Sequence, residues 1–160
     1  MKECPLCGEK HVYRIIEYST FARMDGTETP YIGITYECDR SPEIPPEVMA
    51  NINQENARRI SETRRSLAGY YTAKEIKAIR KKYHMTVTEF SIVLGIGVAS
   101  LKRYEANGGR WQSDSTETLL RMLDKRPDCM LICLERWASK IPSERYNDLK
   151  THISEMMKYQ

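Results

Sequence analysis

The spacing of apolar positions changes along the chain, and the changes divide it. Val12-Tyr13-Arg14-Ile15-Ile16-Glu17-Tyr18 mixes β-branched and aromatic residues in an extended pattern that predicts a strand. Met24-Asp25-Gly26-Thr27 carries an Asp-Gly turn signal, and Tyr31-Ile32-Gly33-Ile34-Thr35-Tyr36 reads as the returning strand. Three prolines between Ser41 and Pro46 close this region. Each proline fixes its own φ and turns the residue before it away from helix. Val48, Ile52, Ile60 and Leu67 then recur near helical spacing, with Arg58, Arg59, Arg64 and Arg65 on other faces and Gly69 as the stop. So few apolar groups cannot bury much alone. This helix is either a linker or packs on a neighbour or on a second copy of the chain.

From residue 71 the pattern breaks into short helices. Thr72-Ala73-Lys74-Glu75 is a capping box, followed by Ile76, Ile79, Arg80 and Tyr83 on one face. Thr86-Val87-Thr88-Glu89 is a second, opening a helix with Phe90, Val93 and Leu94 inward. Gly95-Ile96-Gly97 interrupts it, Val98 to Glu105 forms a third, and Asn107-Gly108-Gly109 ends that one. Ser115 to Leu123 is a fourth, stopped before Pro127. Short helices with a glycine-containing turn between the second and third are the helix-turn-helix pattern. Beyond them, Met130, Leu131, Leu134 and Trp137 mark one helix, and Leu149, Ile153 and Met156 another. The fold class expected is α+β: a small β-rich, zinc-ribbon-like module, then an all-α helix-turn-helix domain with a helical C-terminal extension. The expected boundaries are 1–41, a linker helix over 42–70, the helix-turn-helix domain over 71–127, and the extension over 128–160.

Charge sharpens the division. The net charge is +3, but residues 71–111 alone carry +5, against −2 over residues 1–41 and zero in the rest. A localised basic stretch is the footprint of a polyanion binder, although many basic helices are only solvated faces. No run approaches the roughly 18–20 apolar residues of a membrane span. Met1-Lys2-Glu3-Cys4-Pro5 lacks the apolar core of a signal peptide. Five cysteines, two in one CxxC, favour metal binding or free thiols in a reducing cytosol, so a cytoplasmic location is expected.

Cys4-Pro5-Leu6-Cys7-Gly8 has the shape of a zinc knuckle, with Gly8 letting the backbone turn beneath the ion. Cys38 supplies a third thiol, but Ser41 stands where a second knuckle would have cysteine. His11 is the best fourth ligand; Asp39 or a water would serve less well. A structural zinc would replace the core that a 40-residue module cannot build. The alternatives are a metal-free module of buried thiols and an open catalytic site, the latter without an accompanying HExxH. Cys129 and Cys133, four apart on a helix, read as buried small residues.

Several stretches now form a resemblance. Ala78 to Thr86, Leu94-Gly95-Ile96-Gly97-Val98, Arg103-Tyr104-Glu105 and Leu119 to Pro127 resemble the C-terminal part of the MqsA family. These are antitoxins with a YgiT-type zinc finger and an Xre-type helix-turn-helix. The CPxCG start and Cys38 resemble the family's N-terminal module, and the resemblance stops before Cys129. It implies a homodimer on a palindromic double-stranded DNA operator, with the third helix of the domain in the major groove, and a toxin bound by the N-terminal module. A recognition helix offers its first turns to base edges, which places Ala99, Ser100 and Arg103 as readers. Arg103 can pair bidentately with guanine O6 and N7. Ala99 stands where the family pattern has Asn and can only touch a thymine methyl, so the operator should differ. Lys81, Lys82, Lys102 and Arg110 are placed to meet phosphates, and Thr86 and Thr88 to offer hydroxyls or amides to them. Trp111 either covers the end of the recognition helix or sits at the phosphate backbone. The function expected is a dimeric, sequence-specific autorepressor that is the antitoxin of a toxin–antitoxin pair. The alternative is a toxin-neutralising module with secondary DNA binding. No acid–base pair, nucleophile or phosphate loop suggests an enzyme.

Overall fold

The computed structural model describes residues 3–24 and 26–159, so Asp25 of the Asp-Gly turn lies outside the described residues. The chain is α+β and divides into two compact units, residues 1–68 and 69–160.

In the first unit, strand β1 (Arg14–Met24) pairs antiparallel with β2 (Thr27–Glu37) from Arg14↔Glu37 to Met24↔Thr27. Both strands outrun their apolar cores at 12–18 and 31–36. A two-residue connection fixes the register, and the ladder then carries the polar stretch along with it. Helix α1 (Pro46–Leu67) starts with proline at its first position, where a missing N–H costs nothing. It packs on β2 and belongs to the first unit, so the expected linker helix is here a helix docked on its neighbour. Asn56, buried on α1, explains the fit. Its amide oxygen accepts from the Ile34 N–H (2.8 Å), and its NH2 group donates to the Ile34 carbonyl (3.1 Å). One side chain thus imitates a third strand at the outer edge of β2, and Arg59 donates to the Ile32 carbonyl beside it.

The second unit holds α2 (Ala73–Lys82), α3 (Val87–Leu94), α4 (Val98–Tyr104), α5 (Asp114–Lys125), α6 (Pro127–Arg136), a 3-10 turn (Ala138–Lys140) and α7 (Ser143–Met157). Both capping boxes form: Thr72 with Glu75, and Thr86 with Glu89. Gly95 closes α3 with φ +67°, a left-handed value that glycine adopts without a Cβ penalty. Pro127 ends α5 and also opens α6, because a residue that cannot continue one helix is well suited to begin another. Residues 128–160 add to the same core. Met130, Leu134, Ile141, Leu149 and Ile153 are buried together with Ile76, Ile79, Phe90, Leu101, Leu120 and Leu123. The extension therefore completes the helical unit.

Helix α7 also grips the α2–α3 turn. Arg145 Nε meets Glu89 Oε1 at 2.7 Å, and His152 Nε2 donates to the Lys82 carbonyl at 3.0 Å. The His84 and His152 rings stack 3.9 Å apart. His84 has φ +55° and sits in the turn that follows α2. Burial alone would raise the Glu89 carboxyl, but hydrogen bonds from Arg145 and Thr86 hold it below its usual value. The proton thus binds the unfolded chain more readily than the folded one. The stabilisation is complete above the ordinary carboxylate value of about 4.3 and is lost as acid protonates Glu89 in the folded unit. Glu89→Gln should lose less stability than the parent on acidification, as urea melts across the acid range would show. Parallel losses would mean that the pair contributes nothing.

Candidate functional site

Two sites are built by these elements. In the first unit, the Cys4-to-Gly8 knuckle is closed by the Gly8 N–H donating to the Cys4 carbonyl at 2.9 Å, with φ +73° at Gly8. Cys4 is itself held by its N–H donating to the Glu9 carbonyl. Cys38 arrives from the end of β2, and the Arg40 amide donates to its sulfur at 3.4 Å. His11 completes the set: the ligand atoms of Cys4, Cys7, His11 and Cys38 all lie within 4.8 Å of one another.

The spacings suit a tetrahedral ion. Zinc–sulfur bonds of about 2.3 Å and zinc–nitrogen bonds of about 2.05 Å place ligand atoms roughly 3.5–3.8 Å apart. Here the Cys7 and Cys38 sulfurs are 3.9 Å apart, and His11 Nε2 is 3.0 Å from Cys7 and 3.4 Å from Cys38. His11 Nδ1 donates to the Val12 carbonyl at 2.8 Å, which leaves Nε2 as the lone-pair donor, the usual outer support of a metal-bound histidine. Asp39, the weaker alternative, is held 3.0 Å from Arg14. Burial raises the Cys4 thiol, but the amides of Cys7 and Leu6 bring it below its usual value. The Glu9 amide lowers Cys7, yet burial and the other two thiols push it up. One thiolate is favoured and the next is resisted, the balance that a shared cation relieves. This cluster can bind a metal.

The second site is the outer surface of α3 and α4. Leu101 is fully buried and pins α4 to the core, while Ala99, Lys102 and Arg103 face solvent at i, i+3 and i+4. Ser100 is half-buried. Lys81, Thr86, Thr88 and Arg110 are exposed. The Thr86 amide donates to Glu89 and its hydroxyl accepts from the Glu89 N–H, so both groups already serve the capping box. Lys82 turns elsewhere: its ammonium donates to the Asp124 carbonyl and lies 3.4 Å from the Asp124 carboxylate. Neighbouring helical residues point about 100° apart, so Lys81 and Lys82 do not share a face. Lys74, Lys77 and Lys81 do share an exposed stripe on α2; their i, i+3, i+7 spacing was the signal that a search for adjacent lysines passes over. Trp111 is half-buried with its ring 5.8 Å from that of Tyr70. Arg80 ties α2 to the end of α4 through Glu105, at 2.7 and 2.9 Å.

Among the described residues, the chain thus has a first unit with a two-stranded sheet and a Cys3His cluster that could hold a metal, and a second unit of six α-helices. It belongs to the family described as the antitoxin component of the bacterial toxin–antitoxin system, MqsA, which matches residues 1–132. Membership makes it an antitoxin of a toxin–antitoxin system and implies a toxin as partner. No curated protein and no solved structure gives a match. No described helix is long and apolar enough to cross a membrane.

Proposed function

We propose that this antitoxin is also a dimeric, sequence-specific repressor acting in the cytosol, with zinc as the structural metal of its N-terminal unit. The observation that carries the reading is the outward row of Ala99, Lys102 and Arg103 on a helix anchored by Leu101, inside the stretch that holds all the positive excess. In this reading α3 and α4 are a helix-turn-helix and α4 lies in the major groove. Arg103 reads guanine, Ala99 and Ser100 adjust the selection, and Lys102, Lys81, Lys77 and Arg110 meet phosphates, with Thr88 beside them. Zinc supplies folding stability and no chemistry; Cys4, Cys7, His11 and Cys38 hold it. Nothing in the reading requires catalysis.

A gel shift with the DNA upstream of the coding sequence tests it. Arg103→Ala should cost about 1–3 kcal/mol on the cognate site and relax specificity there. Lys102→Ala should weaken binding to all sequences and flatten the salt slope by about 0.9. Unchanged affinity and selectivity in a folded Arg103→Ala variant overturns the assignment.

Toxin neutralisation as the main task, with DNA binding secondary, is favoured by one observation. Asn56 and Arg59 occupy the outer edge of β2, whereas the outer edge of β1 has no partner strand among the described residues. Ile15 and Phe21, on β1, are largely exposed. A strand of a partner can add to such an edge. Growth rescue by a chain lacking residues 1–68 would refute this placement.

A further inference from the structure

Between α4 and α5 the chain turns through Ala106-Asn107-Gly108-Gly109, a segment that neither site uses. We propose that Asn107–Gly108 is a self-modification site, at which loss of the Asn107 amide places a carboxylate beside α4 and weakens its hold on DNA. The consequence rests on the DNA-binding reading; the chemistry does not.

The Gly109 N–H donates to the Ala106 carbonyl at 2.9 Å, so Asn107 and Gly108 stand at the corners of a turn. Both are exposed, and Gly108 has φ +68°. The chain has five asparagines, and only Asn107 precedes glycine. Asn51, Asn53 and Asn56 lie within α1 and Asn147 within α7, and each is followed by a residue that carries a Cβ. The reaction needs the next residue's backbone nitrogen to reach the side-chain carbonyl, and a glycine there removes the Cβ that would hinder the approach.

The Gly108 nitrogen, losing its proton, bonds to Cγ of Asn107. The Cγ–Nδ2 bond breaks, and the departing NH2 group takes up one proton and leaves as ammonia. Water then adds to either carbonyl of the resulting succinimide and reopens the ring, giving aspartate or isoaspartate and releasing a proton. No oxidant or reductant is involved.

Two effects reach the DNA-facing helix. A negative charge appears four residues after Arg103 and three before Arg110, in a surface otherwise suited to phosphate. The isoaspartate branch also lengthens the backbone by one methylene, two residues before a glycine that packs closely on the end of α4. A Cβ added at Gly109 would lie 2.1 Å from the Arg103 carbonyl oxygen and 2.8 Å from that of Ala106. The turn is packed against the last carbonyls of α4, so a longer turn displaces the backbone that carries Arg103.

The test ages the full-length protein in mildly alkaline buffer. Peptide mass spectrometry reads amide-to-acid conversion, isoaspartyl methyltransferase labelling reads the isoaspartate share, and a gel shift on the upstream DNA reads affinity. Asn107 should convert before the other asparagines, with a loss of about tenfold in affinity, comparable to one guanine contact. Asn107→Gln should age without that loss, and Asn107→Asp should show the charge part of it when fresh. Conversion no faster at Asn107 than elsewhere overturns the proposal, as does aged protein that binds like fresh protein. Fresh protein that binds no DNA overturns the DNA reading and the consequence together, while the masses still decide the modification.

Discussion

Cys38→Ser, or a strong chelator acting on the parent, should unfold residues 3–68 and leave the helices of residues 69–159 in place. The buried apolar cluster of the first unit consists of Cys4, Leu6, Cys38, Val48 and Ile52, with Cys7, Tyr13, Tyr36 and Ile44 packed around it. Two of the five buried members, Cys4 and Cys38, belong to the cluster that could hold a metal, and a third, Cys7, lies at the margin. A core of this size supplies at most about 3–5 kcal/mol against chain entropy. A structural zinc contributes on the order of 10–16 kcal/mol in small metal-dependent folds. Removing a ligand therefore removes the largest stabilising contribution and leaves buried thiols behind. The two-unit division makes the effect separable. Amide hydrogen exchange should lose protection over β1, β2 and α1 while α2 to α7 stay protected. Intact protection of the hairpin after chelation would show that the unit stands without metal. Ser41→Cys, which restores the second knuckle, should leave the fold unchanged if His11 is the fourth ligand.

What the sequence revealed of this architecture is what local chemistry determines. Both capping boxes, the glycine stop after α3 and the proline ahead of α6 are set within four residues, and all form as read. The members of the Cys/His cluster were legible because CxxC, an apt histidine and one further cysteine leave few combinations. Long-range docking was not legible. Asn56 sits at the buried spacing Val48, Ile52, Asn56, yet only the position of Ile34 shows that its amide completes a strand edge. Arg145, His152 and the apolar face of α7 carried no sign of their partners, because Glu89 and His84 lie 56 and 68 residues upstream. The partner of Lys82 was hidden for a related reason: its charge was visible, but the direction set by Asp124 was not.

Glu105→Ala should destabilise the second unit by about 3–5 kcal/mol, the usual result of stripping one partner from a buried ion pair. The Arg80 and Glu105 side chains are only 12% and 8% exposed, with Nε and Nη2 of Arg80 on the two carboxylate oxygens. Nη1 donates to the Met85 carbonyl at 3.0 Å, so the same guanidinium also ties down the α2–α3 turn. The hydrogen bond to Glu105 raises the Arg80 pKa against the effect of burial, and with Glu105 gone the guanidinium still keeps its charge, because arginine is not deprotonated in proteins. An unpaired cation is then left under the end of α4, a helix of seven residues with no side-chain cap and one fully buried side chain. That helix is too short to hold itself. Each kcal/mol lost should lower the melting temperature by about 4–8 °C in a unit of this size. Arg80→Ala should cost a similar amount, and the double variant less than the sum of the two, because neither charge is then left alone. Additive losses, or a loss below about 1 kcal/mol, would place the pair among surface bridges of little consequence. DNA affinity should fall in Glu105→Ala even under conditions where the unit remains folded. In the proposed DNA-binding reading the pair sets the angle at which α4 presents Arg103, and a guanine contact would tolerate little misplacement.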